Sequence, residues 1–407
     1  MRQTNDIISP IQQKQVGTSR IAIILSFCLL DSLSPAIVTL RYIGPDLIQF
    51  VNFIALITLC GIATTVRLKT KIPSAAVVFI FLFLTISVVK MFMLTIPGDY
   101  NETAESAAKY LLSFLMPMTC FLAIYSLPNE DPKTIEKALI DFARRYLYII
   151  IPSVLVYSMF NLSGQITYFG LGVNFHYVTP FFIKGYGTAL GFMVLVLITG
   201  KRAVLLNFLI QTFMQFSRHI ALQPVVVLIF FVLTVAVAYA FQESLLYLLR
   251  RFRNMYDIIL TLDLTQGLFS MANSREALVL FGGRLEEVTG VLLYFEQNPG
   301  HVWFGSPPGA NYIWSIESAG LYQFKSYSHF TWAGYIFRYG IIFTFALLIF
   351  LATLMVRTAS RTSGLWLVLI GILTSSFFGA NMIVSPTTWV MIALATRYGR
   401  QLASMNR

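Results

Sequence analysis

The sequence predicts an all-α, polytopic membrane protein of about twelve transmembrane helices, with eleven and thirteen as the bounds. Three observations carry that prediction. Of 407 residues, 57% are hydrophobic and only 12% charged, whereas soluble domains run near 45–50% and about 25%. The apolar residues come in runs of about 20, the length a helix needs to cross the hydrocarbon core, and do not alternate as a membrane barrel requires. The Lys and Arg residues cluster in short stretches between those runs, as the positive-inside rule expects. A mean hydropathy of +0.72 agrees. A soluble enzyme, a disordered chain, a coiled coil and a secreted disulfide scaffold are excluded.

Eleven spans follow from hydropathy: 21–40, 46–66, 73–96, 107–127, 146–163, 186–199, 203–217, 223–241, 330–356, 363–381 and 384–396. The polar first 20 residues read as a cytoplasmic tail, with the first span as an uncleaved anchor. The turn at Arg67, Lys69 and Lys71 and the Lys133–Arg145 segment then share the inner side, while Asp99, Glu102 and Glu105 lie outside. Eleven spans would strand Arg357, Arg361, Arg397, Arg400 and Arg407 outside. Counting 165–183 as a broken or re-entrant span returns those five arginines inside and moves only Lys201 and Arg202 out. Gly170, Gly172 and Pro180 interrupt that stretch, and broken helices are tolerated at membrane depth where protein buries them.

Three regions result. Residues 1–241 form an N-terminal bundle of spans 1–9, 242–329 one large external loop, and 330–407 spans 10–12. Both termini are expected in the cytoplasm. The net charge of +11 follows from this topology, so no nucleic-acid partner is expected. Cys28, Cys60 and Cys120 lie inside apolar runs without a CxxC pair, which gives neither a disulfide framework nor a metal site.

Within the loop, 243–262 reads as an amphipathic helix for the membrane surface, with Arg250, Arg251 and Arg253 as a head-group face. A second helix is expected over 274–297, started by Ser274 and closed by Asn298-Pro299-Gly300. Leu285, Val288, Leu292 and Phe295 would form its buried stripe. Arg284 and Glu287 sit three residues apart beside it, and a plain ion pair is the competing explanation for that arginine.

Charged groups gather at the expected outer surface in three places. One is Thr199-Gly200-Lys201-Arg202; a second runs from Arg284 through Asn298-Pro299 to Gly305-Ser306-Pro307-Pro308-Gly309; a third is Ser328-His329-Phe330-Thr331 with Arg338-Tyr339-Gly340. Arginines around one histidine suit a phosphate-bearing ligand, because the guanidinium fork grips phosphate oxygens and keeps its charge. Lys90, inside the third span, is a further candidate by virtue of its depth. His176 and His301 fall outside the pattern.

The Thr199–Arg202 turn, the stretch from Gly282 to Gly309 and the run from Ser328 to Ile341 resemble the bacterial O-antigen polymerase and O-antigen ligase superfamily of membrane polysaccharide enzymes. The matching region covers about 199–340. The resemblance implies a C-type glycosyltransferase-like helical fold and metal-independent transfer without a cofactor. The donor and acceptor would be undecaprenyl-diphosphate-linked oligosaccharides at the periplasmic face of the inner membrane. Membrane lipid, a chain-length determinant protein and a flippase are the implied partners. Carried over by position, Arg202 and Arg284 would hold the donor pyrophosphate with Lys201, Lys90 and Arg338 in support. His329 and Arg284 would be catalytic, with Glu286 and Glu287 as reserve bases. Ligases usually carry His-Asn and a Ser-Arg-Gly turn. Here His329-Phe330 and Lys201-Arg202-Ala203 stand instead, which favours a polymerase over a ligase. A transporter or flippase of lipid-linked sugars is the rival class, and the missing second half with matching broken segments counts against it.

Overall fold

A computed structural model describes residues 21, 24–29, 54, 58, 61, 85, 104–127, 129–162, 175–183, 185–198, 202–216, 284–307, 310–316, 321–325, 330–358, 363–378 and 385–405, with the backbone alone at several helix ends such as 104–114, 156–162 and 202–203. Helix makes up 85% of what is described. Numbered among these residues, the helices are α1 (Ala104–Ser126), α2 (Pro132–Leu162), α3 (Thr179–Phe182), α4 (Tyr186–Ile198) and α5 (Arg202–Phe216), then α6 (Arg284–Gln297), α7 (His301–Phe304), α8 (Thr331–Arg357), α9 (Gly364–Phe378) and α10 (Pro386–Met405). A 3₁₀ turn, Phe175–Tyr177, precedes α3. The hairpin of β1 (Tyr312–Ile316) and β2 (Leu321–Lys325) follows α7. One described helix, α8, is long and apolar enough to cross a membrane. The expected amphipathic helix at 243–262 lies outside the described residues.

Two helices outrun their hydropathy runs. α2 takes in the basic segment 133–145 because Ile135, Ala138, Leu139, Phe142 and Tyr146 recur at helical spacing and are buried. The opposite face stays polar, with an Arg144–Asp141 pair at 3.5 Å. α10 likewise continues past 396, carrying the stripe on through buried Tyr398 and Leu402. Its start is built locally: Pro386 occupies the first turn, and the Ser385 hydroxyl accepts the Thr388 N–H at 3.3 Å. α10 packs against α1, and Arg397 closes the far end of that pair. Its guanidinium donates to the carbonyls of Ile124 and Leu127 and to Asn129 Oδ1, filling acceptors that a helix C-terminus leaves open.

The segment 175–183 is broken and buried. Its short turns leave main-chain carbonyls that no continuous helix would satisfy. One face of α5 supplies the donors at four-residue spacing. Gln211 Nε2 donates to His176 O at 3.0 Å and to Leu367 O at 2.9 Å. Gln215 reaches the carbonyls of Pro180 and Ile183, and Asn207 donates to Gly371 O at 3.0 Å and to the Ser375 hydroxyl. Ser375 in turn meets His176 Nδ1 at 3.1 Å. Gly371 is required here, because a Cβ would run into Gln211 and the His176 side chain. His176 is a packed core residue of this seam.

A second, smaller core lies outside the bundle. Val291, Tyr294 and Phe295 of α6, Ala310, and Tyr312 of β1 close around Phe337 of α8. This core seats α6, α7 and the hairpin on the first third of α8. A break in α8 makes room for it. Gly340 adopts φ +78, and the Phe337 carbonyl before it accepts the Ser306 N–H at 2.7 Å. Gly305, at φ +84, lies against the Arg338 main chain, and a side chain at Gly340 would strike the Trp303 carbonyl.

Candidate functional site

The buried face of α6 differs from the expected stripe. Leu285 and Val288 are only half-buried and Leu292 is 53% exposed. Of the expected stripe Phe295 alone goes inward, joined by Glu286, Glu287, Gly290, Val291 and Tyr294. Packing decides the matter. The hairpin approaches α6 at Gly290, whose absent Cβ admits the Ile313 carbonyl and the Tyr312 ring. That contact rotates the helix so that two carboxylates of its first turn are drawn inside.

Glu287 is the hub. Its side chain is 1% exposed, and Oε2 accepts the Phe330 N–H at 3.1 Å. Oε1 faces Lys325 Nζ at 3.5 Å and Arg284 at 3.8 Å. One carboxylate thus ties α6 to the last residue of β2 and to the residue that opens α8. A carboxylate at a helix N-terminus is also favoured by the helix dipole. The two cations are held very differently. Lys325 is 14% exposed and lies 3.8 Å over the Trp314 ring, whereas Arg284 is 32% exposed and reaches Glu287 only at ion-pair distance. Burial pushes the Lys325 ammonium below its ordinary pKa, and Glu287 opposes that shift. The bland account of Arg284, as the structural partner of Glu287, is weakened because Glu287 is already held by Lys325 and a backbone N–H.

Glu286 is 2% exposed, and neither of its carboxyl oxygens has a hydrogen-bond partner among the described residues. Burial pushes its pKa up; its own backbone N–H opposes this, the Glu287 charge adds to it, and Lys325 pulls it down. Buried polar groups are ordinarily paired, so an enclosed carboxyl with two unpaired oxygens among the described residues, within electrostatic reach of Lys325, stands out from the rest of this core.

Of the three sequence clusters, the structure joins the second to the third at two points. Glu287 reaches Phe330, and the Gly305–Ser306 turn docks on Phe337 and Arg338. Arg338 itself is buried in α8. His329, Lys201 and Lys90 lie outside the described residues, and Arg202 is described only as the backbone residue that opens α5. His301 stacks on Tyr294 and meets its hydroxyl at 3.0 Å. Among the described residues no three His, Cys, Asp or Glu side chains converge as metal ligands.

Sequence reasoning missed Lys325 and Trp314. Neither residue falls in the charged clusters of the sequence, and no strand was expected there. The register pairs Tyr312 with Lys325 and Trp314 with Gln323, which places the ammonium and the indole on the inward face. Only the alternation in Leu321–Lys325 hints at this.

The class these features define is a helical protein carrying a compact polar platform, α6 with the hairpin, on the opening turns of a long apolar helix. Comparison with known proteins goes no further: neither a protein-family model nor a curated sequence matches the chain.

Proposed function

We propose that this protein is a membrane glycosyltransferase that polymerises a surface polysaccharide. It transfers a growing glycan from undecaprenyl diphosphate onto a lipid-linked repeat unit at the periplasmic face of the inner membrane. In this reading the chain crosses the membrane about twelve times with both termini in the cytoplasm, and 242–329 forms the large external loop. The platform of α6 and the hairpin then lies at the outer mouth of α8, where lipid-linked substrates present their head groups.

The observation that carries the proposal is Arg284. It sits at the rim of a buried acid cluster, one-third exposed and only loosely paired, at the start of the helix that abuts the opening of α8. A guanidinium with open donors is suited to a diphosphate, and it would neutralise the charge that develops as undecaprenyl diphosphate departs. A sugar hydroxyl of the acceptor would attack the anomeric carbon of the donor. Arg202, Lys201, Lys90 and Arg338 are the supporting cations of this reading. His329, immediately before Phe330 in the chain, would take the hydroxyl proton or hold the pyrophosphate. Two lipid-anchored substrates held side by side would gain much of the rate by proximity.

The lipopolysaccharide ladder of a strain lacking the gene tests this reading. A core carrying a single repeat unit is the expected result, restored to a full ladder by the wild-type gene but not by Arg284→Ala at equal protein level. Bare core would replace the polymerase by a ligase, and repeat units trapped on the inner leaflet would replace it by a flippase.

A further inference from the structure

Two adjacent glutamates open α6, and only one of them is used to hold the fold together. Glu287 is saturated by Lys325, Arg284 and the Phe330 N–H. Glu286 is equally enclosed, yet among the described residues neither of its oxygens has a hydrogen-bond partner. Lys325 is the cation within electrostatic reach of it, but Glu287 and the Trp314 ring hold that ammonium. An unpaired buried carboxyl lowers stability, and an apolar side chain would fill the same place without that cost. What two open carboxylate oxygens recognise is a hydrogen-bond donor brought by a ligand. The platform's most exposed cation is Arg284, held only at ion-pair distance from Glu287, and Lys325 lies within electrostatic reach of both Arg284 and Glu286. An anion site and an acceptor of hydroxyl protons therefore flank one ammonium.

We propose that Glu286 forms the acceptor subsite of the polymerase described above, binding a hydroxyl of the incoming sugar and taking its proton. This assignment rests on that polymerase reading. In the step, the acceptor O–H bond breaks and its proton passes to the Glu286 carboxylate. The freed oxygen pair forms the new bond to the anomeric carbon. The bond from that carbon to the diphosphate breaks, and its electron pair leaves with undecaprenyl diphosphate, whose charge Arg284 meets. The competing acid, Glu287, cannot serve without releasing Lys325 and the opening of α8.

The electrostatics suit the task. Burial and the Glu287 charge move Glu286 above its ordinary value, toward the pH range in which a base is efficient, while Lys325 restrains the shift. The charged groups that act on it are Glu287 on its own helix and Lys325 on β2. The working form is the carboxylate, so the rate falls as pH drops through the raised value.

The test uses purified full-length protein in phosphatidylethanolamine–phosphatidylglycerol vesicles, with undecaprenyl-diphosphate oligosaccharide extracted from a strain lacking the gene. Glu286→Gln keeps the shape and a hydrogen-bond acceptor but cannot take a proton. Its binding of the oligosaccharide should stay within about two-fold, while polymerisation falls by about 10²-fold or more and the acid limb of the pH–rate profile disappears. Glu286→Leu should unfold no more readily than wild type and be equally inactive. A Glu286→Gln protein that retains more than about a tenth of the rate, or keeps the acid limb, overturns the assignment. An active Glu286→Leu protein overturns it as well, even if the amide variant fails to fold. If wild type itself does not extend the oligosaccharide, the polymerase reading fails first and this inference goes with it. Active wild type with an active amide variant refutes Glu286 alone.

Discussion

Replacing Glu287 by alanine removes the polar ties of α6 to Lys325 of β2 and to Phe330 at the opening of α8, and the structure allows that loss to be set against the loss at Arg284. At 3.5 Å, and with an effective dielectric of about 20, the attraction between Glu287 and Lys325 is about 5 kcal/mol before desolvation is counted. Removing one partner of a buried pair typically destabilises by about 3–5 kcal/mol, because the other charge remains enclosed without compensation. The Phe330 N–H loses its acceptor in the same substitution. Arg284 is the contrasting case. Its contact with Glu287 is longer, at 3.8 Å, and water screens a side chain that is 32% exposed, so Arg284→Ala should cost less than about 1 kcal/mol. The gap of about 2–4 kcal/mol separates the folded populations by roughly 30- to 1000-fold.

The measurement is a titration of mixed micelles with sodium dodecyl sulfate, following folded fraction by tryptophan fluorescence. Arg284→Ala should unfold near the wild-type midpoint, and Glu287→Ala far earlier. Adding Lys325→Met to Glu287→Ala should recover much of the loss, since the stranded ammonium is then gone. Parallel unfolding of Arg284→Ala and Glu287→Ala would refute the division between a structural glutamate and a free arginine. In that event Arg284 belongs to the scaffold.

Two further substitutions probe how the platform and the broken segment are held. Gly340→Ala forces a side chain onto a φ of +78 and against the Trp303 carbonyl, so it should destabilise by more than about 1 kcal/mol and expose the α7 turn to protease; unchanged proteolysis would show that α7 does not depend on the break in α8. Gln211→Leu removes the donor to His176 O and Leu367 O, at about 1–3 kcal/mol, read in the same detergent titration, and a wild-type midpoint would mean that the α5 seam does not hold the broken segment.

The helices were legible where apolar residues dominate a long run, as in 341–356 of α8. Their ends were not, because Lys133–Arg145 and the tail beyond Ala395 are amphipathic, and an averaging window sees polarity where one buried face continues. Pro180 and two glycines marked the 165–183 stretch as interrupted. That Gln211 and Gln215 would satisfy its carbonyls was invisible, since the partners are 35 and 32 residues apart and glutamine has no positional signature. The hairpin was missed because Tyr312, Ile313 and Trp314 are all apolar, which erases the two-residue period by which a half-buried strand is read. Missing the hairpin meant missing Lys325. It also displaced the buried stripe of α6, whose orientation depends on where β1 lands. Arg284, Glu286 and Glu287 were visible as charged residues in an aromatic loop; which of them is structural depends on tertiary contacts alone.

The division between the two glutamates follows from helix geometry. Successive residues on an α-helix are separated by about 100°, so two adjacent acids leave the helix in different directions even though Lys325 lies within electrostatic reach of both. Glu286 lies one turn before Gly290 and falls on the face that meets the hairpin, while Glu287 points to the opening of α8. Both sit in the first turn of α6, where the helix dipole favours a carboxylate by about 0.3–1 kcal/mol. Enclosing an ionised carboxylate costs several kcal/mol, so the dipole alone cannot keep either acid charged. Glu287 gains the Phe330 N–H and Lys325 and acts as a structural anion. Glu286 has neither as a hydrogen-bond partner among the described residues, and its pKa moves up with burial as the leading cause. Arg284 then faces a Glu287 carboxylate that Lys325 and the Phe330 N–H already hold, which leaves the rim cation available to an anionic ligand.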